Sequence, residues 1–361
     1  MLKTILAAVA WAASAAWAQA SPDAVTPADR AVPHYDHIFV IVEENKDYAQ
    51  VMGPAAAPDI AGLAATYGVA TQFFSEGHPS EANYVALLGG DTFGIHDDDA
   101  FYCHLGMIDP ACPNAFSAGY ADHTVAAPSL ADQLQGRGLS WKGYYESLPA
   151  AGSLAVRAAD PATAPGADWA PVYASKHSGF LNFANVQRDP KRAEHIVGFG
   201  QLDADLASGD LPNFALIVPN QCNEMHGLHG PGVPADCDAA NGLSGLIGRG
   251  DRVVGQLVRR IQATPAWRSN QRVAIVVTFD EGAGKTREGC CSVTPEAPSN
   301  FGGGHIPTIV ITNHGPRGVK DAVPYNHYSL LRTIEDAFGI STHLGRAADT
   351  AGGVTAMAGL F

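Results

Sequence analysis

Basic side chains are scarce in this 361-residue sequence. There are 22 lysines and arginines against 36 acidic residues, which gives a formal charge of −14 with the histidines neutral. Binding to the backbone of a nucleic acid needs a basic footprint, so the composition argues against DNA or RNA as a partner. A small phosphorylated ligand remains compatible, because a metal ion or local dipoles can override the overall negative field.

Long apolar runs are lacking after the first twenty residues, so we expect no stable membrane anchor in the body of the chain. Those first residues combine one lysine, an Ala-rich apolar stretch and the triplet Ala18-Gln19-Ala20. This pattern is typical of a secretory signal peptide cleaved after Ala20, with a retained anchor as the alternative. We therefore expect a periplasmic or secreted protein, with a flexible linker over residues 21–33 and a single domain over 34–361.

Cysteine spacings typical of zinc fingers or ribbons are also lacking. The chain has six cysteines, an even number that can pair in an oxidising compartment. We expect the adjacent Cys290 and Cys291 to reach different partners. The short spacings favour two pairs, Cys103 with Cys112 and Cys222 with Cys237.

What the sequence does contain is an alternation of continuous apolar runs with helical patterns. Runs of this kind are typical of strands that are covered on both faces, as in a parallel sheet. The class is therefore α/β, with a mostly parallel central sheet and helices on both faces. Gly/Pro-rich segments over residues 95–125, 150–180 and 282–300 are predicted as loops over one rim. The predicted strands are His37–Val42, Phe214–Val218, Val273–Thr278 and Ile309–Thr312. The predicted helices are Ala57–Tyr67, Glu81–Leu88, Pro128–Gly136, Arg252–Ala263, capped by Asp251, and His327–Phe338, capped by Asn326.

Polar clusters follow three of the four predicted strands. In open α/β sheets, ligands bind beyond the carboxyl ends of the strands. Carboxylate and amide oxygens that converge there with histidines suit a divalent cation. Taken singly, each cluster is equally compatible with a solvated strand exit or an ordinary turn. The clusters are Glu43-Glu44-Asn45, then Asn220 with Asn223, Glu224 and His226, and finally Asp280-Glu281.

A candidate nucleophile lies in the stretch GHPSEANYVALLGGD, residues 77–91, where Ser80 precedes a helical pattern. A hydroxyl at this position lies near backbone N–H groups and a helix dipole that attract an anion. The alternative is an ordinary helix N-cap, which is the commoner role of serine there. A free serine is a weak nucleophile unless a base or a metal activates it.

Seven motifs give the chain a resemblance to a known family. The sequence resembles the secreted phosphoesterases, a group of bacterial acid phosphatases, phosphatidylinositol phosphatases and non-specific phospholipases C. The resemblance covers roughly residues 36–340 and implies an alkaline-phosphatase-like three-layer sandwich. The motifs occur in the family's order: EENKDY, HPSEANYVALLGGD, LPNFALIVPNQCNEMHG, GDRVVGQLVRRI, VVTFDEG, GGGHIPTIVI and YNHYSLLRTIEDAFGI.

The resemblance also implies a role for each matching residue. One divalent metal ion would be bound by the E-N and D-E pairs, and its identity is not specified. A hydroxyl residue would attack phosphorus, an asparagine would contact a phosphoryl oxygen, and histidines would contact phosphate or assist the leaving group, their cations favouring acidic pH. Asp251 and His327 also lie in matching motifs, but capping and packing explain them equally well. The implied metal ligands are Glu44, Asn45, Asp280 and Glu281, and the implied reacting residues are Ser80, Asn83, His226 and His305.

One departure bears on the choice of substrate. The phosphatase branch commonly has S-x-P-N-Y where this chain has Ser80-Glu81-Ala82-Asn83-Tyr84, so the proline is missing. The phospholipase C branch usually has arginine in place of Tyr84, which favours a phosphomonoesterase of the acid phosphatase type acting through a phosphoserine. The alternatives are a phospholipase C that cleaves a phospholipid headgroup and a non-catalytic protein that binds phosphate or metal.

Overall fold

A computed structural model describes residues 31–53, 57–99, 122–160, 170–284, 286–292 and 302–361. The expected signal peptide and the pair Cys103 with Cys112 lie outside these ranges. The strands are β1 (His37–Glu43), β2 (Gly68–Ala70), β3 (Phe73–Phe74), β4 (Trp141–Tyr145), β5 (Arg157–Ala158), β6 (Tyr173–Ala174), β7 (Ile196–Gly198), β8 (Phe214–Val218), β9 (Val273–Phe279), β10 (Thr308–Thr312), β11 (Val319–Asp321) and β12 (Tyr325–Asn326).

Ten helices occur in the described ranges, together with single 3-10 turns such as Ser175–His177. None of these helices combines the length and apolar character needed to cross a bilayer. The helices are α1 (Tyr48–Met52), α2 (Pro58–Thr66), α3 (Glu81–Gly89), α4 (Leu130–Gly136), α5 (Ala184–Arg188), α6 (Arg192–His195), α7 (Phe199–Ser208), α8 (Leu243–Gln262), α9 (Pro265–Arg268) and α10 (His327–Ala337).

The central sheet has eight strands in the order β11-β2-β10-β9-β1-β8-β4-β7. All neighbouring pairs are parallel except those that involve β10, which runs antiparallel to both β9 and β2. The four predicted strands are confirmed as β1, β8, β9 and β10, and every residue in them is buried. Full burial explains why their sequences are continuously apolar rather than alternating. The predicted mostly parallel α/β sheet is confirmed.

Helices cover both faces of the sheet, as two adjacent glutamates show. Successive side chains of a strand point to opposite faces. Glu43 lies against α8, where a methyl group added to Gly250 would come within 2.8 Å of its carboxylate. Glu44 instead meets α3, where the hydroxyl of Tyr84 donates a hydrogen bond to it over 2.7 Å. The helices α3 and α8 therefore lie on opposite sides of the sheet.

The predicted start of α8 is wrong. The helix begins at Leu243 rather than after Asp251, which lies buried in its interior. Three glycines at positions 245, 248 and 250 lower the local helix propensity and hide the first two turns in the sequence. Gly250 is required by packing, since any side chain there would collide with Met225 and Glu43.

Asp251 does act as a cap, but for a different helix. Its carboxylate accepts the backbone N–H groups of Asp59 and Ile60 at 3.1 and 2.8 Å, which are in the first turn of α2. The other predicted cap is confirmed, because the side chain of Asn326 accepts the N–H of Ser329 at the start of α10. Because Asp251 lies in one helix and caps another, no short-range sequence pattern marks it as a cap.

The cysteine predictions have mixed outcomes. The pair Cys222–Cys237 is confirmed, with a Cα–Cα distance of 4.9 Å. The expectation for the adjacent cysteines is wrong, because Cys290 and Cys291 are bonded to each other, with their Cα atoms 3.7 Å apart. Cys291 has a positive φ of 65°, which belongs to a tight turn, and this turn brings the two neighbouring sulfurs together.

Candidate active site

The ends of β1 and β9 bring the predicted acidic residues to one rim of the sheet. Glu43 is aligned with Phe279 in the parallel pairing, so Glu44 and Asp280 leave the sheet side by side. The N–H of Asn45 donates to a carboxylate oxygen of Asp280 over 3.1 Å. Because β1 is paired with β9 along its whole length, the pairing of these two central strands fixes the positions of both residues.

The hydroxyl of Ser80 is directed at Glu44. Ser80 occupies the cap position of α3, yet its side chain makes no capping hydrogen bond and its backbone is helical. Its Oγ donates to Oε2 of Glu44 over 3.0 Å, while Tyr84 donates to Oε1 of the same carboxylate. Both Ser80 and Glu44 are buried. The N-cap interpretation therefore does not describe what this hydroxyl does.

Two histidines complete a cluster around Glu44. Nitrogens of His177 and His226 and an oxygen of Glu44 all lie within 4.8 Å of one another, a spacing that could hold a metal ion. The Nδ1–H of His226 donates to the carbonyl of Gly227 over 2.7 Å, which leaves its Nε2 available. Burial, reinforced by the charge of Lys176, lowers the pKa of His226 to about 4 and that of His177 well below its ordinary value. Neutral imidazoles are metal ligands rather than cations for phosphate.

Buried acidic groups are crowded into this rim. Glu44, Glu224 and Asp280 are at most 1% exposed. Burial, together with the charge of neighbouring acids, raises the pKa of Glu44 and Glu224 well above the ordinary value. Burial also raises the pKa of Asp280, and one of its oxygens has no hydrogen-bond partner within the described ranges. A divalent cation would offset this repulsion and occupy the unpaired oxygen, so the residues fit a metal site.

Asn45 and Glu281 stand beside these acids with partners of their own. The side-chain oxygen of Asn45 accepts Lys46 Nζ over 3.3 Å, and the residue has a φ of 22°, a turn conformation that few non-glycine residues adopt. A carboxylate oxygen of Glu281 lies 2.8 Å from Nδ1 of His78. Both residues lie beside Glu44 and Asp280, as the sequence predicted. Their contacts with Lys46 and His78 were not predicted from the sequence.

Asn83 and His305 have roles in holding the backbone. The side-chain oxygen of Asn83 accepts the N–H groups of Glu76 and Gly77, and its amide donates to the carbonyl of Gly77. It thereby fixes the turn that precedes Ser80. His305 stacks on Tyr48 with ring centroids 4.5 Å apart, and its Nε2 lies 3.0 Å from the carbonyl oxygen of Thr71. Their predicted contacts with phosphate remain predictions.

His327 and His177 show what the sequence left open. His327 is buried and bonded to Glu76 at 2.5 Å and to the carbonyl of Phe279 at 2.9 Å, so it ties α10 to the segments before Ser80 and Asp280. His177 was not singled out, because it lies in the segment 150–180 that was predicted only as a loop. The adjacent basic residues Lys176 and His177 were the local feature of that loop that could have indicated a functional site.

Comparison with known proteins identifies the family of the chain. A family model described as the Phosphoesterase family matches residues 54–341. The chain belongs to this family. Membership makes the protein a hydrolase that acts on phosphoric ester bonds, as the sequence motifs implied.

Several curated proteins are similar over most of the chain. A phosphatidylinositol-3-phosphatase of Mycobacterium tuberculosis is 29% identical over 326 residues, which cover 90% of this chain and 84% of that protein. A probable acid phosphatase of Kluyveromyces lactis and an acid phosphatase of Aspergillus fumigatus are each 26% identical over 86% of this chain. The alignments span only 60% and 56% of these two fungal proteins.

A solved structure supports the fold. A protein in the alkaline phosphatase superfamily from Vibrio parahaemolyticus superposes with a TM-score of 0.53 at 13% sequence identity, covering 90% of this chain and 74% of that one. The predicted alkaline-phosphatase-like architecture is therefore confirmed at the level of the fold.

Proposed function

We propose that the protein is an exported, metal-dependent phosphomonoesterase of the acid phosphatase type, with Ser80 as the nucleophile. The observation that carries this proposal is the hydrogen bond from Ser80 Oγ to Glu44 Oε2 at 3.0 Å, made by a serine that does not cap its own helix. A serine needs an adjacent base or a metal to become nucleophilic, and Glu44 belongs to a set that can supply both.

The reaction would proceed through two displacements at phosphorus, with Ser80 and Glu44 as the reacting groups of the chain. Ser80 Oγ would form a bond to phosphorus as the ester oxygen leaves, and the hydroxyl proton would pass toward Glu44. The leaving oxygen would take a proton from solvent. Water would then attack phosphorus as the bond to Ser80 Oγ breaks, and Ser80 would take back the proton held at Glu44. The water oxygen would leave in inorganic phosphate, and its surplus proton would pass to solvent. The hydroxyl of Tyr84, bonded to the other oxygen of Glu44, would hold the carboxylate in the orientation that faces Ser80.

We propose that Glu44 and Asp280 hold one divalent metal ion, with Asn45 and Glu281 beside them. One buried oxygen of Asp280 has no hydrogen-bond partner among the described residues, and this oxygen and the raised pKa of both acids support this set. A bound cation would lower the pKa of the serine hydroxyl and neutralise charge on a phosphate oxygen. His177 and His226 form a competing set with Glu44. The two sets share only Glu44, so they can be separated by mutation.

The substrate class and the location of the protein are part of the same proposal. The relatives reported above are named phosphatases, which favours a phosphate monoester as substrate over the diester of a phospholipid headgroup. The disulfide Cys222–Cys237 is typical of an oxidising compartment and supports export to the periplasm or beyond.

Release of p-nitrophenol from p-nitrophenyl phosphate and from p-nitrophenylphosphorylcholine tests the proposal, with and without chelator. We expect faster, chelator-sensitive turnover of the monoester. The variant Ser80→Ala should lose at least about a thousandfold in kcat, since removal of a nucleophile abolishes all but the residual contribution of binding and electrostatics.

The matched control is Ser129→Ala. Ser129 is also a buried serine at the start of a helix, but it does form a capping box, with Asp132. Its loss should lower stability by about 1 kcal/mol and leave turnover unchanged. Near-native turnover by a folded Ser80→Ala variant would refute the nucleophile, and preference for the choline diester would favour a phospholipase C. Phosphate binding without turnover would indicate a non-catalytic protein.

A further inference from the structure

Two lysines lie close to the buried acids Glu44, Glu224 and Asp280, and they differ in exposure and in the partners of their ammonium groups. Lys46 is 3% exposed, and its Nζ is taken up by oxygens of its own chain, including the carbonyl of Met225 at 2.9 Å. Lys176 is 21% exposed and immediately precedes His177, whose Nε2 lies 3.3 Å from Glu44. The charge of Lys176 affects the pKa of Glu44 and of His226, so its ammonium group lies within electrostatic range of the site.

The ammonium of Lys176 is bound to a carboxylate that lies over α3. Asp98 Oδ2 lies 2.8 Å from Lys176 Nζ, and Asp98 Oδ1 accepts the backbone N–H of Glu81 over 3.2 Å. Glu81 directly follows Ser80. One carboxylate therefore occupies a position between a cation and the amide that adjoins the proposed nucleophile. The charge of Asp98 also raises the pKa of Glu281 and His226, so this carboxylate lies within electrostatic range of both.

The side chain of Glu81 does not compete for this position. Its carboxylate is buried and bonded to Nδ1 of His123 at 2.6 Å and to the amide of Asn182 at 2.6 Å. It points into the protein, while its N–H group points to Asp98. The donors at the rim are thus a side-chain ammonium and a backbone amide, held in place by a separate internal network.

We propose that Lys176 binds the phosphate group of the substrate, and that Asp98 holds the place of that phosphate until the substrate displaces it. This inference rests on the proposed function, because it assumes that phosphate is attacked at Ser80. The two oxygens of a carboxylate and two oxygens of a phosphate can accept the same pair of donors. Displacement would release Asp98 toward solvent, to which it is already 28% exposed.

The proposal makes Lys176 a determinant of specificity. A phosphate monoester carries a charge between about −1.5 and −2 near neutral pH, whereas a diester carries one negative charge. A cation beside phosphorus stabilises the more highly charged group more strongly. Lys176 should therefore favour the monoester over the diester, in a site whose other side chains are mostly acidic.

Binding of inorganic phosphate to the metal-loaded full-length protein, measured by calorimetry, tests this directly. Lys176→Gln should raise the Kd about tenfold or more, because a hydrogen bond from a charged donor is lost. Lys176→Arg should restore it to within about threefold. Asp98→Asn should lower the Kd about two- to fivefold, since it weakens the partly exposed ion pair that competes with phosphate. Bound metal is counted in every sample.

The matched control is Lys142→Gln. Lys142 is 22% exposed and also pairs with an aspartate, Asp205, but it lies in β4 near the opposite rim. Its loss should leave the Kd unchanged. In turnover assays, Lys176→Gln should lower kcat/KM for p-nitrophenyl phosphate more than for p-nitrophenylphosphorylcholine.

The outcomes separate failure of this proposal from failure of the proposed function. An unchanged Kd in Lys176→Gln, weaker phosphate binding in Asp98→Asn, or loss of metal from Asp98→Asn would overturn the role of this pair. Failure of the wild-type protein to bind phosphate at millimolar concentrations would overturn it too. If the wild-type protein binds phosphate but hydrolyses neither ester, the proposed function fails, while the Kd values of the variants still decide the role of Lys176.

Discussion

Removal of the Asp251 carboxylate should destabilise the protein through a helix that is distant in sequence. The carboxylate is buried and accepts the N–H groups of Asp59 and Ile60, at 3.1 and 2.8 Å. In Asp251→Ala, the first turn of α2 loses the acceptor for both donors, of which the N–H of Ile60 is buried and that of Asp59 is partly buried. An unsatisfied buried donor costs about 1 to 3 kcal/mol. Burial raises the pKa of Asp251, so part of this loss is offset when the buried acid is removed.

We therefore expect Asp251→Ala to lower the free energy of unfolding by about 2 to 4 kcal/mol, measured by urea denaturation. Asp251→Asn keeps one acceptor oxygen and should cost about half as much. The control is Asp203→Ala, which removes an exposed partner of Arg260 on the same helix and should change stability by less than about 0.5 kcal/mol. Hydrogen exchange should accelerate first at the amides of Asp59 and Ile60. A loss below about 0.5 kcal/mol in Asp251→Ala would refute the reasoning.

Two further predictions concern a buried acid and the metal ligands. Burial raises the pKa of Glu335 to about 8, so the folded state keeps this group neutral while the unfolded state ionises near pH 4.5. This contribution to stability is complete below about pH 4.5 and is lost as the pH rises to about 8. Relative to Glu335→Gln, the free energy of unfolding of the wild type should fall by on the order of 4 kcal/mol over that interval, measured by denaturation. Parallel curves of unfolding free energy against pH for the two proteins would contradict this. Asp280→Asn should lose bound metal, measured by elemental analysis, while His226→Gln retains it; the reverse pattern would assign the ion to the histidine cluster.

The sequence predicted the sheet well because buried parallel strands carry their signal within a few residues. The runs that became β1, β8, β9 and β10 are continuous and mostly apolar, as burial on both faces requires. The order of the strands at the rim then follows from parallel pairing. This is why the residues that follow β1 and β9 could be expected to meet, although Asn45 and Asp280 are 235 residues apart in the sequence.

The features that were missed or predicted wrongly depend on contacts between distant segments or on the geometry of a local turn. The start of α8 was missed because its glycines lower the helix propensity, and one of them, Gly250, is required by packing against Met225 and Glu43, which lie elsewhere in the chain. Asp251 caps a neighbouring helix, and the pairing of Cys290 with Cys291 depends on a turn that spacing does not reveal. His177 lies in a loop without periodicity, so only the fold brings it to Glu44.

Specific family motifs supplied what physical patterns could not. From spacing alone, Ser80 was more readily explained as an N-cap than as a nucleophile. The resemblance named it as the attacking residue, and the structure adds that its hydroxyl points at Glu44 rather than at its own helix. Lys176 and Asp98 were found only through their contacts, because neither lies in one of the seven motifs.

The reversed direction of β10 determines which surface loops can be altered without touching the site. His305 precedes this strand at the substrate rim, whereas residues 313–318 follow it at the other end, where the side chain of Asn313 bonds to the carbonyls of Trp267 and Gln271 before β9. Arg317 and His314 are exposed on that loop. A covalent tether attached to residues 313–318 would immobilise the enzyme with Glu44 and Ser80 facing away from the support. This loop is therefore a suitable attachment point for a surface-bound catalyst.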